Sequence, residues 1–187
     1  MGAAVVDVAW LDWLADEAGA KVEVDAEGSI VVSPATDKHV LAANAIHQQL
    51  IASCPAGSVV LMEGLRWAPP GGVQPSYIPD VSVLDRRAVS RPEGVFTLDP
   101  PPLIVVEVIS PESRRRDLGE KADGYFAGGA LTYWTVEVPG LTEVDVVTLT
   151  VRLRAAEEWT VADVFSGGLA EIGVPFTIRL DLDALVR

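Results

Sequence analysis

Cysteine and histidine are nearly absent from this chain of 187 residues, and each scarcity closes off a kind of chemistry. Cys54 stands alone, which excludes an intramolecular disulfide and any cysteine-rich zinc site. A thiol nucleophile would need a base beside it, and Ala52-Ser53-Cys54-Pro55 reads instead as a helix end carrying a small buried thiol. His39 and His47 are too few to make a zinc site by themselves. Basic residues are scarce as well. With 14 Lys and Arg against 27 Asp and Glu, the net charge of −13 argues against a protein that coats nucleic acid nonspecifically. No apolar run approaches the roughly 18 residues that cross a bilayer. Met1 to Ala20 holds Asp7, Asp12, Asp16 and Glu17 and no Lys or Arg, so it does not read as a signal peptide. A cytoplasmic location without a membrane partner is expected.

What the chain does have is the balance of a folded protein, 49% hydrophobic and 22% charged. Its length fits one domain over residues 1–187 with a sizeable core. The acidic excess is uneven. From Arg86 to Lys121 there are seven basic and six acidic residues, a local balance of +1 that leaves −14 for the rest. A surface facing a polyanion would lie in that middle segment, and Arg114, Arg115 and Arg116 are either part of it or a solvated loop.

Periodicity outlines an α/β chain. Trp10, Leu11, Trp13 and Leu14 sit at helical spacing within Val8 to Ala18. Lys21 to Asp25 alternates Val22 and Val24 with charged neighbours, and Ser29 to Ser33 resumes after the turn Asp25-Ala26-Glu27-Gly28, which predicts a hairpin. Thr36 or Asp37 caps a helix running to about Ser53. Strands follow over Ser58 to Met62 and Ile78 to Leu84, separated by a Pro- and Gly-rich loop from Ala68 to Ser76. After the break at Asp99-Pro100-Pro101-Pro102, Leu103 to Ile109 is the most apolar strand, a run suited to a sheet covered on both faces. Asp117 to Phe126 reads as a helix ended by Gly128-Gly129, with strands over Leu131 to Val138 and Val144 to Leu153 beyond it. Trp159 to Leu180 adds one or two more strands, and the sheet is expected to be mixed.

Glu107 is the anomaly in this pattern. A carboxylate inside Leu-Ile-Val-Val-Glu-Val-Ile would cost several kcal/mol to bury ionised and alone. It needs a cation, a hydrogen-bond partner or a place at the sheet's end, and Ser110-Pro111 closes the strand just after it. Asp80 is a second acid beside an apolar strand, following Pro79 at the start of Val81-Ser82-Val83; Pro-Asp is also ordinary turn chemistry. Two strand-borne carboxylates that converge would suit a hard divalent cation. Downstream, Asp117, Lys121 and Tyr125 are spaced four apart on one helix face. Lys121 could orient a water or neutralise a phosphoryl oxygen there, or form a surface ion pair with Asp117.

The segments Tyr77-Ile78-Pro79-Asp80-Val81-Ser82-Val83, Pro102 through Glu107 to Pro111, Arg116-Asp117 through Lys121 to Tyr125, and Tyr133-Trp134 occur in an order that resembles the Uma-type restriction endonuclease family, within the PD-(D/E)XK nuclease superfamily. Gly28 to Ser33, with Pro34 and His39, is similar to that family's N-terminal signature, so the resemblance spans about Lys21 to Val138. It implies a restriction-endonuclease-like fold with an αβββαβ core, a mixed sheet flanked by helices, an N-terminal hairpin and extra C-terminal strands. It also implies metal-dependent hydrolysis of nucleic acid, with DNA the expected substrate and Mg²⁺ or Mn²⁺ the cofactor. Asp80, Glu107 and the backbone carbonyl of Val108 map onto the metal ligands. The superfamily's usual lysine would fall at Ile109 and is missing; Lys121 matches the lysine that takes its place in the Uma-type family. Glu23 or Glu27 corresponds to an early glutamate, His39 and Tyr125 are accessory candidates, and Arg114 to Arg116 would contact the phosphate backbone. By the same analogy a homodimer is expected. The rival expectation, motivated by the charge of −13 and by Ile109, is a non-catalytic module that keeps the nuclease fold for binding or regulation.

Overall fold

The computed structural model describes residues 8–34, 36–63, 66, 75–89 and 100–186. The stretch 68–74 of the Pro- and Gly-rich loop, and Asp99 of the later break, lie outside them. Helix α1 (Val8–Ala18) leads into β1 (Lys21–Val24), which pairs antiparallel with β2 (Ile30–Ser33) across a turn where Gly28 takes a φ of 85°. The tryptophans of α1 are not its packing face. Leu11 is buried against Val22 and Val24, with Leu14 and Ala15 completing that stripe, while Trp10 and Trp13 are exposed. Helix α2 (Asp37–Ser53) is capped by Thr36, whose side chain accepts from the His39 N–H, and it stops at Cys54. Burial pushes the Cys54 thiol up to about 11, which leaves it an inert thiol at neutral pH.

Six strands then form one sheet in chain order: β3 (Ser58–Met62), β4 (Val81–Asp85), β5 (Ile104–Ile109), β6 (Thr132–Glu137), β7 (Thr148–Arg154) and β8 (Trp159–Ser166). Neighbours are antiparallel except β5 and β6, which run parallel and are joined through two short helices, α3 (Arg114–Leu118) and α4 (Glu120–Ala127). From α2 to β6 the element order is the expected αβββαβ with its second helix split in two. The tail holds three strands where one or two are predicted, because β9 (Leu169–Ile172) and β10 (Ile178–Asp181) pair with each other as a separate antiparallel ribbon.

The central strands bury both faces, as the apolar run in β5 requires: all six of its residues are inaccessible. On one face, Val81, Val83, Ile104, Val106, Val108 and Trp134 pack with Ala42, Ala43, Ile46 and Leu50 of α2. On the other, Val105 and Tyr133 pack with Tyr77 and with Ala122 and Tyr125 of α4. Strand alternation places Glu107 on this second face.

Strand β7 begins at Thr148 rather than Val144, and two further differences from expectation shape the site. The helix predicted over Asp117 to Phe126 is two helices broken at Gly119, whose φ of −120° and ψ of −100° leave the helical region. A Cβ at Gly119 would stand 3.1 Å from the Arg115 carbonyl oxygen, so glycine suits the break. Strand β4 begins at Val81 rather than Ile78. Pro79 has no N–H to donate to a ladder, and Asp80 turns its side chain across the strand end instead.

Ile46 is fully buried between α2 and the sheet, whereas Ile51, one turn on, is half exposed. Ile46→Ala is therefore expected to lower unfolding free energy by about 2–5 kcal/mol, and Ile51→Ala by less than about 0.5 kcal/mol, in urea denaturation.

Candidate active site

Register brings the two acids together. The β4–β5 ladder pairs Val81 with Val106 and Val83 with Ile104, so one further step sets Asp80 opposite Glu107. Asp80 is 1% exposed and Glu107 2%. Asp80 Oδ2 accepts from the Val108 N–H at 2.7 Å, and its carboxylate is in direct ion contact with Lys21 Nζ. His39 Nε2, from the first turn of α2, lies 3.1 Å from Asp80 Oδ2. Burial by itself would raise the Asp80 carboxyl, but Lys21 and the His39 contact outweigh it and hold the group well below the usual carboxylate range.

Glu107 is held differently. Tyr125 donates to its Oε1 at 2.7 Å, and Lys121 Nζ stands 2.6 Å from the same oxygen. Lys121 also lies 3.2 Å from Glu23 and 3.4 Å from Asp117. Burial works against the ammonium, yet these carboxylates together keep it charged, well above its ordinary value. One cation divided among three acids does not compensate any of them fully. Burial consequently pushes the Glu107 carboxyl well above its ordinary range despite Lys121, with nearby Asp80 and Asp117 adding to the rise. Asp117 is raised for the same leading reason.

Glu23 ties the N-terminal hairpin to this centre. It accepts from the Ile78 N–H at 2.8 Å and pairs with Arg116 at 3.0 Å, while Val24 and Ser76 exchange two backbone bonds of 2.9 Å beside it. Its carboxyl is lowered because Lys121, Lys21 and the Ile78 N–H together outweigh the burial that would raise it. The hairpin's charged face is thus turned into the site: Lys21 and Glu23 are two residues apart and meet different acids or bases of one network. Lys21, Glu23, His39, Asp80, Glu107, Asp117 and Lys121 line a single cleft of about 420 Å³, with Glu63, Ser110 and Ser113 along its walls and Tyr125 behind Glu107.

Residues 8–179 match the Uma2 family, described as putative restriction endonuclease. This chain belongs to the Uma2 family. No curated protein sequence matches it. Among solved structures, a putative nuclease belonging to DUF820 from Anabaena variabilis ATCC 29413 is similar, with a TM-score of 0.66 at 19% identity over 90% of each chain. At that identity the likeness speaks for a shared restriction-endonuclease-like fold.

In this Uma2 member, the residues singled out from sequence sort clearly by position. Asp80, Glu107, Lys121, Tyr125, His39 and Glu23 meet in one cleft region, and the Val108 backbone joins them. Glu27 does not; it is exposed in the hairpin turn. The three arginines do not all reach the surface. Arg114, paired with Glu137, and Arg115 are exposed, whereas Arg116 turns inward to Glu23. Asp117 and Lys121 are an ion pair, but a buried one rather than the surface pair open as an alternative. Lys21 was not singled out at all. Its only signal is the Lys-Val-Glu alternation of β1, which most often marks a solvated strand face.

A carboxyl whose folded-state value is raised lowers stability as pH climbs above its unfolded value near 4.5. Glu107→Gln keeps an acceptor for Tyr125 and removes that cost. The variant is expected to melt at or above the wild-type temperature at pH 7, with the gap closing as pH falls toward 4.5, followed by calorimetry without added metal.

Proposed function

We propose that the protein hydrolyses phosphodiester bonds in nucleic acid, with DNA as substrate, at a divalent-cation site formed by Asp80 and Glu107. The observation that carries this reading is the register of β4 and β5, which sets the two buried carboxylates opposite each other in the lining of one cleft. A second detail fits a metal. The same register would place Pro79 opposite Val108, and proline has no N–H for the Val108 carbonyl. In a strand the N–H and C=O of one residue point to the same side, so this carbonyl is directed where the Val108 N–H meets Asp80. Two carboxylates and one carbonyl are a small donor set that suits Mg²⁺ or Mn²⁺, which keep several waters. Among the described residues no three His, Cys, Asp or Glu side chains form a ready cage for a cation.

A bound divalent cation would supply charge neutralisation on the phosphate and a lowered pKa for water. The chain's own residues set the geometry around it. Tyr125 fixes the Glu107 carboxylate, and His39 with the Val108 N–H fixes that of Asp80. Lys121 stays protonated among Glu23, Glu107 and Asp117, so its role is to stabilise negative charge growing on the phosphoryl oxygens, not to accept a proton. Arg116 supports Glu23 from inside, which leaves Arg114 and Arg115 as the exposed arginines of the triplet open to a phosphate backbone. A non-catalytic binding module is the reading favoured by one specific feature: both acids already carry a lysine.

Relaxation of supercoiled plasmid in Mn²⁺ separates the two. Wild type is expected to nick, with the rate reduced at least about a hundredfold in Glu107→Ala and Lys121→Ala while circular dichroism shows both folded. Nicking that persists in Glu107→Ala would reject the assigned site. Metal binding by wild type without any cleavage would favour the binding module.

A further inference from the structure

The two lysines of the site differ in what surrounds them. Lys121 is 4% exposed and held by three buried carboxylates, so it has no alternative station. Lys21 is 10% exposed and reaches two carboxylates of contrasting character. One is Asp80, buried and in direct contact. The other is Glu63, whose Oε1 lies 3.6 Å from Lys21 Nζ and whose side chain is 43% exposed on the cleft wall. Among the described residues, Lys21 is the one cation within ion-pair distance of Glu63.

Glu63 is also the one described non-glycine residue with positive φ, at 48°. That conformation costs free energy for a side-chain-bearing residue and persists where the surroundings impose it. Here the Glu63 N–H donates to the Asp80 carbonyl oxygen at 3.1 Å, prolonging the β3–β4 ladder by one step and leaving the side chain at the cleft. The strained residue is therefore bonded through its backbone to the very residue whose counter-ion it can receive.

Resting on the reading that Asp80 and Glu107 hold a cation, we infer that Lys21 is a movable counter-ion, paired with Asp80 while no cation is bound and with Glu63 once a divalent cation takes Asp80. Without such a station, a cation arriving at Asp80 would displace an ammonium into a largely buried position with no partner, a costly state. Glu63 offers the displaced ammonium a carboxylate a short side-chain rotation away. The arrangement keeps the metal-free site folded and lets it open to metal. Lys21 and Glu63 are thus positioning residues that set metal affinity from outside the ligand set.

The two variants should shift affinity in opposite directions. In Mn²⁺ titration calorimetry on the full chain, Lys21→Met removes the competitor and is expected to tighten Kd by about three- to tenfold, while lowering the metal-free melting temperature. Glu63→Gln removes the station and is expected to weaken Kd by a similar factor of about three to ten, with the metal-free melting temperature unchanged. If Glu63 acts only through Lys21, adding Glu63→Gln to Lys21→Met changes nothing further. If Glu63 itself ligates the metal, its loss weakens binding equally in both backgrounds, and the inference is overturned. Equal affinities in wild type and Glu63→Gln, or weaker binding in Lys21→Met, would also overturn it. Should Lys21→Met fail to fold, Lys21→Gln replaces it, since glutamine still donates to Asp80 without a charge. Absence of any Mn²⁺ binding by wild type would instead remove the metal-site reading on which the inference stands.

Discussion

Burying Lys121 among Glu23, Glu107 and Asp117 is the interaction on which the rest of this structure depends. Four elements meet there: β1 gives Glu23, β5 gives Glu107, α3 gives Asp117 and α4 gives the lysine. None of these charges could be buried alone without a penalty of several kcal/mol, so the elements that carry them must arrive together. The break at Gly119 serves this requirement, since α3 presents Arg116 and Asp117, and α4 Lys121, to the same centre. The hairpin is pinned by the same demand, through Glu23 and the backbone exchange between Val24 and Ser76.

A buried network of this kind is poor stabilisation compared with an apolar core. Its acids outnumber its cations: Glu23, Asp80, Glu107 and Asp117 face Lys21, Lys121 and Arg116. The imbalance falls on Glu107, whose carboxyl burial raises most plainly. An excess of negative charge held rigidly beside a cleft is the electrostatic complement of a cation, and sites that act on charged substrates accept such cost in stability. The apolar face of the sheet, where α2 packs on β3, β4 and β5, supplies the stability that the polar face lacks.

How much of this could be read from residues alone follows from the kind of signal each residue sends. Glu107 was legible because a charge inside an apolar strand has few tolerable surroundings. The strands themselves were legible from alternation and the helices from caps such as Thr36. The partner of Glu107 was less so, because Asp117 and Lys121 four apart look identical on a buried and a solvated helix. Period-two alternation is symmetric between its faces, so it does not tell whether the charged face of Lys21 and Glu23 meets solvent or a site. Successive helical residues point about 100° apart, so a run of three arginines divides, Arg114 and Arg115 staying exposed while Arg116 turns in to Glu23. The split helix was hidden in a single glycine that a helical pattern tolerates.

The central claim is that Asp80 and Glu107 share one divalent cation, and anomalous diffraction from crystals soaked in MnCl₂ tests it most directly. The account predicts one strong Mn peak between the two carboxylates, within ligating distance (about 2.0–2.3 Å) of both and of the Val108 carbonyl oxygen. A peak elsewhere, or a well-ordered site that still holds Lys21 on Asp80 and Lys121 on Glu107 with no peak, would contradict it.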